Sequence, residues 1–400
     1  MRALFIIGNA DHHAAIAAPA ARELLALGDT VDVFSVAELR ALPSPAACFP
    51  GARTFALVPG GLRKRLPKGA QSGTRRGRVL RRLAHDLAWK LGLRARVEWV
   101  LLRSRPDVVV TMNDATFPYD GICEAARRRG IPVVLLQEGV RFPLPTEQRT
   151  HSPYGGSELA ALCVWGERSA AHFRKHAPAA RVRVTGNPRY DGIDLERARA
   201  EGHALRERLG LSGRLLGFLS NPIDDQGFCT TDEKMRLFER FISTAAPAIA
   251  GAGATVVVKL HPRETVSAFR VVADRVSAVA GAPKVVVAAD APVLPLLSVL
   301  DAGVVLTSTI GLEAMLFGVP VGSLEIPGAG HVFDYVESGA GLPLHADERA
   351  AHEVAELLNC FAATSARRRA AYVEEHLAHR GEAARQVAEA VREVAHIAEG

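Results

Sequence analysis

The chain has 400 residues, 48 % of them hydrophobic and 23 % charged, which excludes a disordered or fibrous protein and exceeds the size at which one core usually stops growing, so two globular domains are expected. Its net charge of +6 comes from one segment: residues 63–105 hold 14 Lys or Arg against Asp86 and Glu98, and the remaining chain is acidic. Five scattered cysteines, Cys48, Cys123, Cys163, Cys229 and Cys360, lack CxxC spacing and exclude a regular disulfide framework, reading as reduced thiols of a cytoplasmic protein.

The chain opens with MRALFIIGNADHH, whose apolar run is too short for a signal peptide or a membrane span, so no targeting segment is expected. Candidate strands follow at βαβ spacing: ALFIIG (3–8), VDVFSV (31–36), PDVVVTM (106–112), IPVVLLQ (131–137), ALCVWG (161–166) and VRVTG (182–186). Most are apolar on both faces, as parallel strands covered by helices must be. Between the first two lies a helical pattern, AAIAAPAARELLALG (14–28), with Gly28 as its stop.

A charged stretch without strand signal spans 190–212, and the pattern then restarts: LLGFLSN (215–221), TVVVKLHP (255–262), KVVVAAD (284–290), AGVVLTS (302–308) and VPVGSLEI (319–326). A polar, Ala-rich helical region closes the chain. The expected architecture is therefore α/β, two Rossmann-like doubly wound domains facing a cleft, with residues 1–200 and 201–347 as the domains and 348–400 as closing helices.

Ligands of open α/β sheets collect outside the carboxyl ends of strands, so the loops after strands carry the candidates. VVLTSTIGLEAMLF places Ser308, Thr309 and Gly311 where a strand ends and a helix begins, an arrangement that suits phosphate. Glu313 falls in that helix's first turn, where a carboxylate is favoured and could accept hydrogen bonds from a ribose diol. The bland alternative is a Ser cap with a first-turn Glu. LHPRE puts His261 and Arg263 at another strand end, suited to clamp a diphosphate, against the alternative of a capping His beside a surface Arg. Asn221, ending LLGFLSN, joins the nucleotide-binding set.

In these loops and over most of its length the sequence resembles the GT-B superfamily of nucleotide-sugar enzymes, in particular the branch around non-hydrolysing UDP-N-acetylglucosamine 2-epimerases and the capsule, sialyl- and alditol-phosphate transferases. RPDVVVTMNDAT (105–116) is similar to the epimerases' strand ending in Gly-Asp-Thr-Thr, IPVVLLQEGVR (131–141) to their Glu-Ala-Gly-Leu-Arg strand, and VTGNPRYD (184–191) to their interdomain Thr-Gly-Asn segment. The resemblance implies that His261, Ser308 and Thr309 contact phosphates and that Glu313 holds the ribose. One departure matters. Where these epimerases carry a His-Arg-Arg-Glu-Asn run, this chain reads SNPIDDQG (220–227), without the catalytic His, which favours a transferase.

Glycosyl transfer with inversion needs a base for the acceptor hydroxyl. Glu138 after VVLLQ, Asp114 after VVVTMN, and His12 or His13 after ALFIIG are the candidates. Glu138 ranks first because capping explains it least, although it could instead pair with Arg141. No metal-ligand spacing and no GxGxxG occur, so neither a metal nor a cofactor is expected beyond a UDP-, CMP-, CDP- or GDP-linked sugar as co-substrate.

The expected function is transfer of a sugar to a glycan, glycolipid or phosphorylated acceptor. A nucleotide-sugar 2-epimerase or hydrolase, an alditol-phosphate transferase and a non-catalytic binding protein are the alternatives. The basic run at 63–105 suits peripheral contact with an anionic membrane, at the inner face of a cytoplasmic membrane, or with a phosphorylated acceptor. Nucleic acid is disfavoured because only Trp89 and Trp99 interleave the cations. The competing reading is a helix packed on the sheet with idle arginines.

Overall fold

A computed structural model describes residues 1–40, 42–58, 75–140, 154–176 and 181–399. Residues 63–74 of the basic run and Arg141 lie outside it. The surroundings of side chains on the helix Arg75–Ser104 are described from Lys90 onward, so the role expected of Arg75, Arg76, Arg78, Arg81 and Arg82 lies outside them too.

The chain divides into two compact units. The first holds seven parallel strands: β1 (Arg2–Ile7), β2 (Thr30–Ser35), β3 (Arg53–Ala56), β4 (Val108–Thr111), β5 (Val133–Leu136), β6 (Ala161–Val164) and β7 (Val182–Val184). Their order is β3-β2-β1-β4-β5-β6-β7. The second holds six: β8 (Arg214–Leu219), β9 (Ala254–Lys259), β10 (Val285–Val287), β11 (Ala302–Val305), β12 (Val321–Leu324) and β13 (Gly341–Leu344), in the order β10-β9-β8-β11-β12-β13. All described pairings between these strands are parallel. Central strands such as β4, β5 and β11 are buried along their whole length, as helices on both faces require.

In each sheet the winding reverses once, between β1 and β4 and between β8 and β11. The crevice at such a reversal is where an open α/β sheet binds its ligand. It opens over the loops that begin at Gly8 and Met112 in one unit, and at Ser220 and Leu306 in the other.

Two strands escaped the sequence reading. Both are edge strands of four residues. β3 buries only Phe55, and β13 contains Pro343, which an edge position tolerates because no neighbour needs its missing N–H. The closing helical region is also divided: residues through Glu375 belong to the second unit, whereas the helix Ala383–Glu399 packs on the helix His12–Ala26, β4 and β6 of the first. Asp191 anchors its start by accepting hydrogen bonds from the N–H groups of Gly381, Ala383 and Ala384. Among the described residues no helix is long and apolar enough to cross a membrane.

Candidate functional site

In the first unit, three strand ends converge on Glu138. Asn9 caps the helix His12–Ala26, accepting the N–H groups of His12 at 2.7 Å and His13 at 3.0 Å, and so turns both imidazoles toward β5. Nδ1 of His13 accepts the Gly8 N–H at 3.1 Å. That bond leaves Nε2 as the protonated nitrogen, and it donates to Oε1 of Glu138 at 3.0 Å. His12 is set the same way. Its Nδ1 accepts from the Arg189 guanidinium at 3.4 Å, and its Nε2 donates to the Glu138 carbonyl at 2.7 Å.

The remaining polar groups of Glu138 are also engaged. Its N–H donates to the Tyr154 hydroxyl at 2.9 Å, and the Asn113 amide donates to its carboxylate. The side chain nevertheless keeps 36 % of its surface open. Desolvation, the largest influence, pushes its pKa up, but the hydrogen bond from His13, the field of both imidazoles and the Asn113 amide outweigh it and hold the carboxyl below its usual range. Burial is the chief cause that lowers the pKa of His12. Gly8 is required for this assembly, because a Cβ there would collide with the Tyr119 hydroxyl and press on His13 Cε1 at 3.0 Å.

Asp114 is placed differently. It is 3 % exposed, and its oxygens accept from the N–H of Gly155 at 2.8 Å, the N–H of Ser157 at 3.1 Å and the Ser157 hydroxyl at 2.6 Å. It braces a loop instead of capping the next helix. Its neighbour Asn113 is the residue turned toward Glu138.

In the second unit, β9, β8 and β11 are adjacent, so His261, Asn221 and Ser308 follow neighbouring carboxyl ends. Asn221 is an internal clip. Its amide donates to Oγ1 of Thr307 at 2.6 Å and its Oδ1 accepts the Thr307 N–H at 3.2 Å, which leaves the side chain 3 % exposed as a residue. His261 accepts the Arg263 N–H on Nδ1 at 3.2 Å, so Nε2 carries the hydrogen. Burial and then Arg263 lower its pKa. The Arg263 guanidinium sits 3.6 Å from the carboxylate of Asp225, an exposed pair.

The turn that carries His261 rests on a buried network. Glu264 accepts the His261 N–H at 2.8 Å on one oxygen, and the Ser220 hydroxyl at 2.7 Å and Nζ of Lys234 at 3.2 Å on the other. Lys234 also donates to Asp224 at 2.6 Å.

Around Ser308, the hydroxyl accepts the Ile310 N–H at 3.3 Å, and the Thr309 hydroxyl makes no hydrogen bond among the described residues. Tyr335, fully buried, donates to the Ser308 carbonyl at 2.8 Å and accepts the Leu312 N–H at 3.1 Å. Gly311 serves this contact, since a Cβ would lie 2.9 Å from the Tyr335 ring and hydroxyl. Glu313 is 3 % exposed, so the ribose role expected of it rests on a carboxyl with little open surface. Among the described residues no group of three or more His, Cys, Asp or Glu could hold a metal ion.

Sequence reasoning missed Asn9, Asn113, Arg189, Lys234, Glu264 and Tyr335. Only position signalled the first two, which follow directly on a strand or its first loop residue. Nothing local marks the others.

A family model described as capsule polysaccharide biosynthesis protein matches residues 227–327. Among curated proteins no sequence matches the chain significantly. Solved structures match along nearly its whole length. The UDP-GlcNAc 2-epimerase from Neisseria meningitidis, solved with UDP-GlcNAc, is similar with a TM-score of 0.63 at 15 % identity, over 98 % of this chain and 100 % of that one. A glycosyltransferase involved in lipopolysaccharide biosynthesis is similar with a TM-score of 0.56 at 14 % identity, over 98 % and 99 %. A glycosyltransferase from Rickettsia africae gives 0.59 at 11 %, over 98 % of each chain.

The fold is GT-B. Likeness at these identities carries the fold alone, so the division of labour within this GT-B chain rests on its own residues. The first unit offers an open, ionised carboxylate held by His13 and Asn113, with His12 on the carbonyl of the same residue. The second offers an imidazole N–H at the end of β9 and two hydroxyl-bearing residues at the end of β11, the two strands that flank β8, with a buried network beneath the imidazole.

Proposed function

We propose that the chain is a glycosyltransferase that moves a sugar from a nucleotide-activated donor to a glycan, glycolipid or related acceptor. The observation that carries this reading is the hold on Glu138, whose N–H, C=O and one carboxylate oxygen are all fixed while the carboxylate stays open to an incoming hydroxyl. Such a carboxylate is ionised at neutral pH and already oriented, which is what a general base requires. Its lowered pKa costs basicity, and pre-organisation offsets that cost.

In the proposed reaction Glu138 takes the proton of the acceptor hydroxyl as that oxygen bonds to the donor's anomeric carbon. The bond from this carbon to the nucleotide phosphate breaks, and the phosphate leaves with the electron pair. The N–H of His261 and the hydroxyls of Ser308 and Thr309 would hydrogen-bond the charge that develops on the phosphate, and Glu313 would take the ribose. Asp114, His12 and His13 would serve as brace and positioning groups, and Asn221 and Gly311 would shape the phosphate loops from behind.

The capsule family match and structural neighbours that include an epimerase bound to UDP-GlcNAc and one in complex with UDP-GlcNAc and UDP support a nucleotide-sugar donor. The cation excess at 63–105 supports an acceptor that carries phosphate or lies among anionic lipids. Incubation with UDP-, GDP-, CDP- and CMP-sugars, with and without phosphorylated or lipid-linked glycan acceptors, tests the reading by mass spectrometry. Transfer should occur only with acceptor. Conversion of the donor alone would mean an epimerase or hydrolase, and thermal stabilisation without turnover a binding protein.

A further inference from the structure

From Lys90 onward the helix Arg75–Ser104 has two apolar faces, and among the described residues only one is used by the fold. Leu93, Val97, Val100 and Leu101 are buried in the core of the first unit. Leu91, Trp99 and Leu102 are 54 %, 46 % and 59 % exposed. At about 100° per residue, Leu91 and Leu102 point within about 20° of each other and Trp99 about 80° away, along roughly 16 Å of helix. Three large apolar side chains therefore form one solvent-facing strip.

Cations frame that strip. Lys90 and Arg94 are exposed on one side of it and Arg103 on the other. Glu98 lies within the strip, but its carboxylate is held by Arg129 and lies 3.7 Å from Arg128, both from the neighbouring helix Tyr119–Arg128 and its end. Trp99 is braced by the Arg96 guanidinium 4.2 Å above its ring and by Phe55 at 5.8 Å. An indole held with its outer edge in solvent, between exposed leucines and a surround of guanidinium groups, matches the chemistry of a bilayer interface: apolar groups enter between acyl chains while cations meet anionic headgroups.

We propose that this strip docks the first unit on an anionic phospholipid bilayer, with Leu91, Trp99 and Leu102 as the inserted groups and Lys90, Arg94 and Arg103 as the headgroup contacts. The inference stands apart from the transferase reading, because it concerns binding and needs no turnover.

The test uses the full chain and sedimentation with vesicles of phosphatidylcholine alone or with about one third phosphatidylglycerol. Binding is expected only to the anionic vesicles. Leu91→Gln with Leu102→Gln should weaken it about tenfold, and Lys90→Gln with Arg94→Gln at least as much, the second effect shrinking as salt rises. Both pairs are exposed, so circular dichroism melts should match the wild type. As a measurement that needs no leucine change, brominated acyl chains should quench the wild type more than Trp99→Phe.

Equal binding to neutral vesicles would overturn the proposal. So would leucine changes that leave vesicle binding intact, which would mean a purely ionic surface for a soluble polyanion. A concentration-dependent dimer abolished by the leucine changes would also overturn it, since a second copy would then cover the strip.

Discussion

Nε2 of His13 lies 3.0 Å from Oε1 of Glu138 while Nδ1 of the same ring accepts the Gly8 N–H. The ring thus transmits the position of the β1 loop to a carboxylate at the end of β5. His13→Ala removes a hydrogen bond that lowers the Glu138 pKa and leaves the desolvation that raises it. The acid limb of the rate profile should therefore move to higher pH, with kcat at its plateau reduced less than at pH 5. A pH–rate profile whose acid limb does not move would remove His13 from control of Glu138.

Glu138→Gln keeps the shape and loses the base. Turnover is expected to fall by roughly 10² to 10⁴, with nucleotide affinity unchanged because the proposed donor contacts are all residues of the second unit. Wild-type turnover in this variant would pass the role to another group of the first unit, with His12 the next to test.

Glu313→Ala should weaken nucleotide binding about tenfold or more by calorimetry, since hydrogen bonds to a charged group are worth roughly 1.5–3 kcal/mol. Because Glu313 is buried, a thermal melt must accompany the titration. Full affinity in a folded variant would end the ribose assignment.

Lys234 is a stability residue. Its side chain is 7 % exposed and lies between Asp224 and Glu264, the latter 1 % exposed. Lys234→Met strands two carboxylates and should cost about 3–5 kcal/mol in urea unfolding. A change within about 0.5 kcal/mol would show that the network is better solvated than its geometry indicates.

Acid sensitivity follows from His12. Burial first, then Arg189 and His13, lower its pKa below the ordinary 6.5 against the opposing pull of Glu138. The unfolded chain then binds the proton more readily than the folded one, so the contribution is complete above about pH 6.5 and is lost as pH falls through the folded value. His12→Asn should flatten the stability slope below pH 6.5. His261 and His331, shifted in the same direction chiefly by burial, should leave a residual slope.

The alternation of apolar runs and helical patterns made the two sheets readable, because strands covered on both faces must be apolar throughout. β3 was hidden because an edge strand is free of that demand, and β13 because Gly341 and Pro343 break up its apolar run. The meeting of His12, His13 and Glu138 was legible as two strand ends of one sheet. Which nitrogen carries the hydrogen was not, since Gly8 and Arg189, far apart in the sequence, decide it for the two rings. Asp114 and Asn113 show the same limit at single-residue scale. Both follow β4, yet one braces the loop at Gly155–Ser157 and the other faces Glu138, and only the turn's backbone assigns the roles.

The helix Ala383–Glu399 belongs to the unit whose first strand begins at Arg2. During translation the ribosome must therefore deliver all of residues 193–375, enough for the second unit to fold, before the first can be closed. Until then the faces of β4, β6 and the helix His12–Ala26 that the closing helix covers stand in water. The domain made first is completed last, and a nascent chain stalled before Ala383 should present proteases and chaperones with a finished second unit and an open first one.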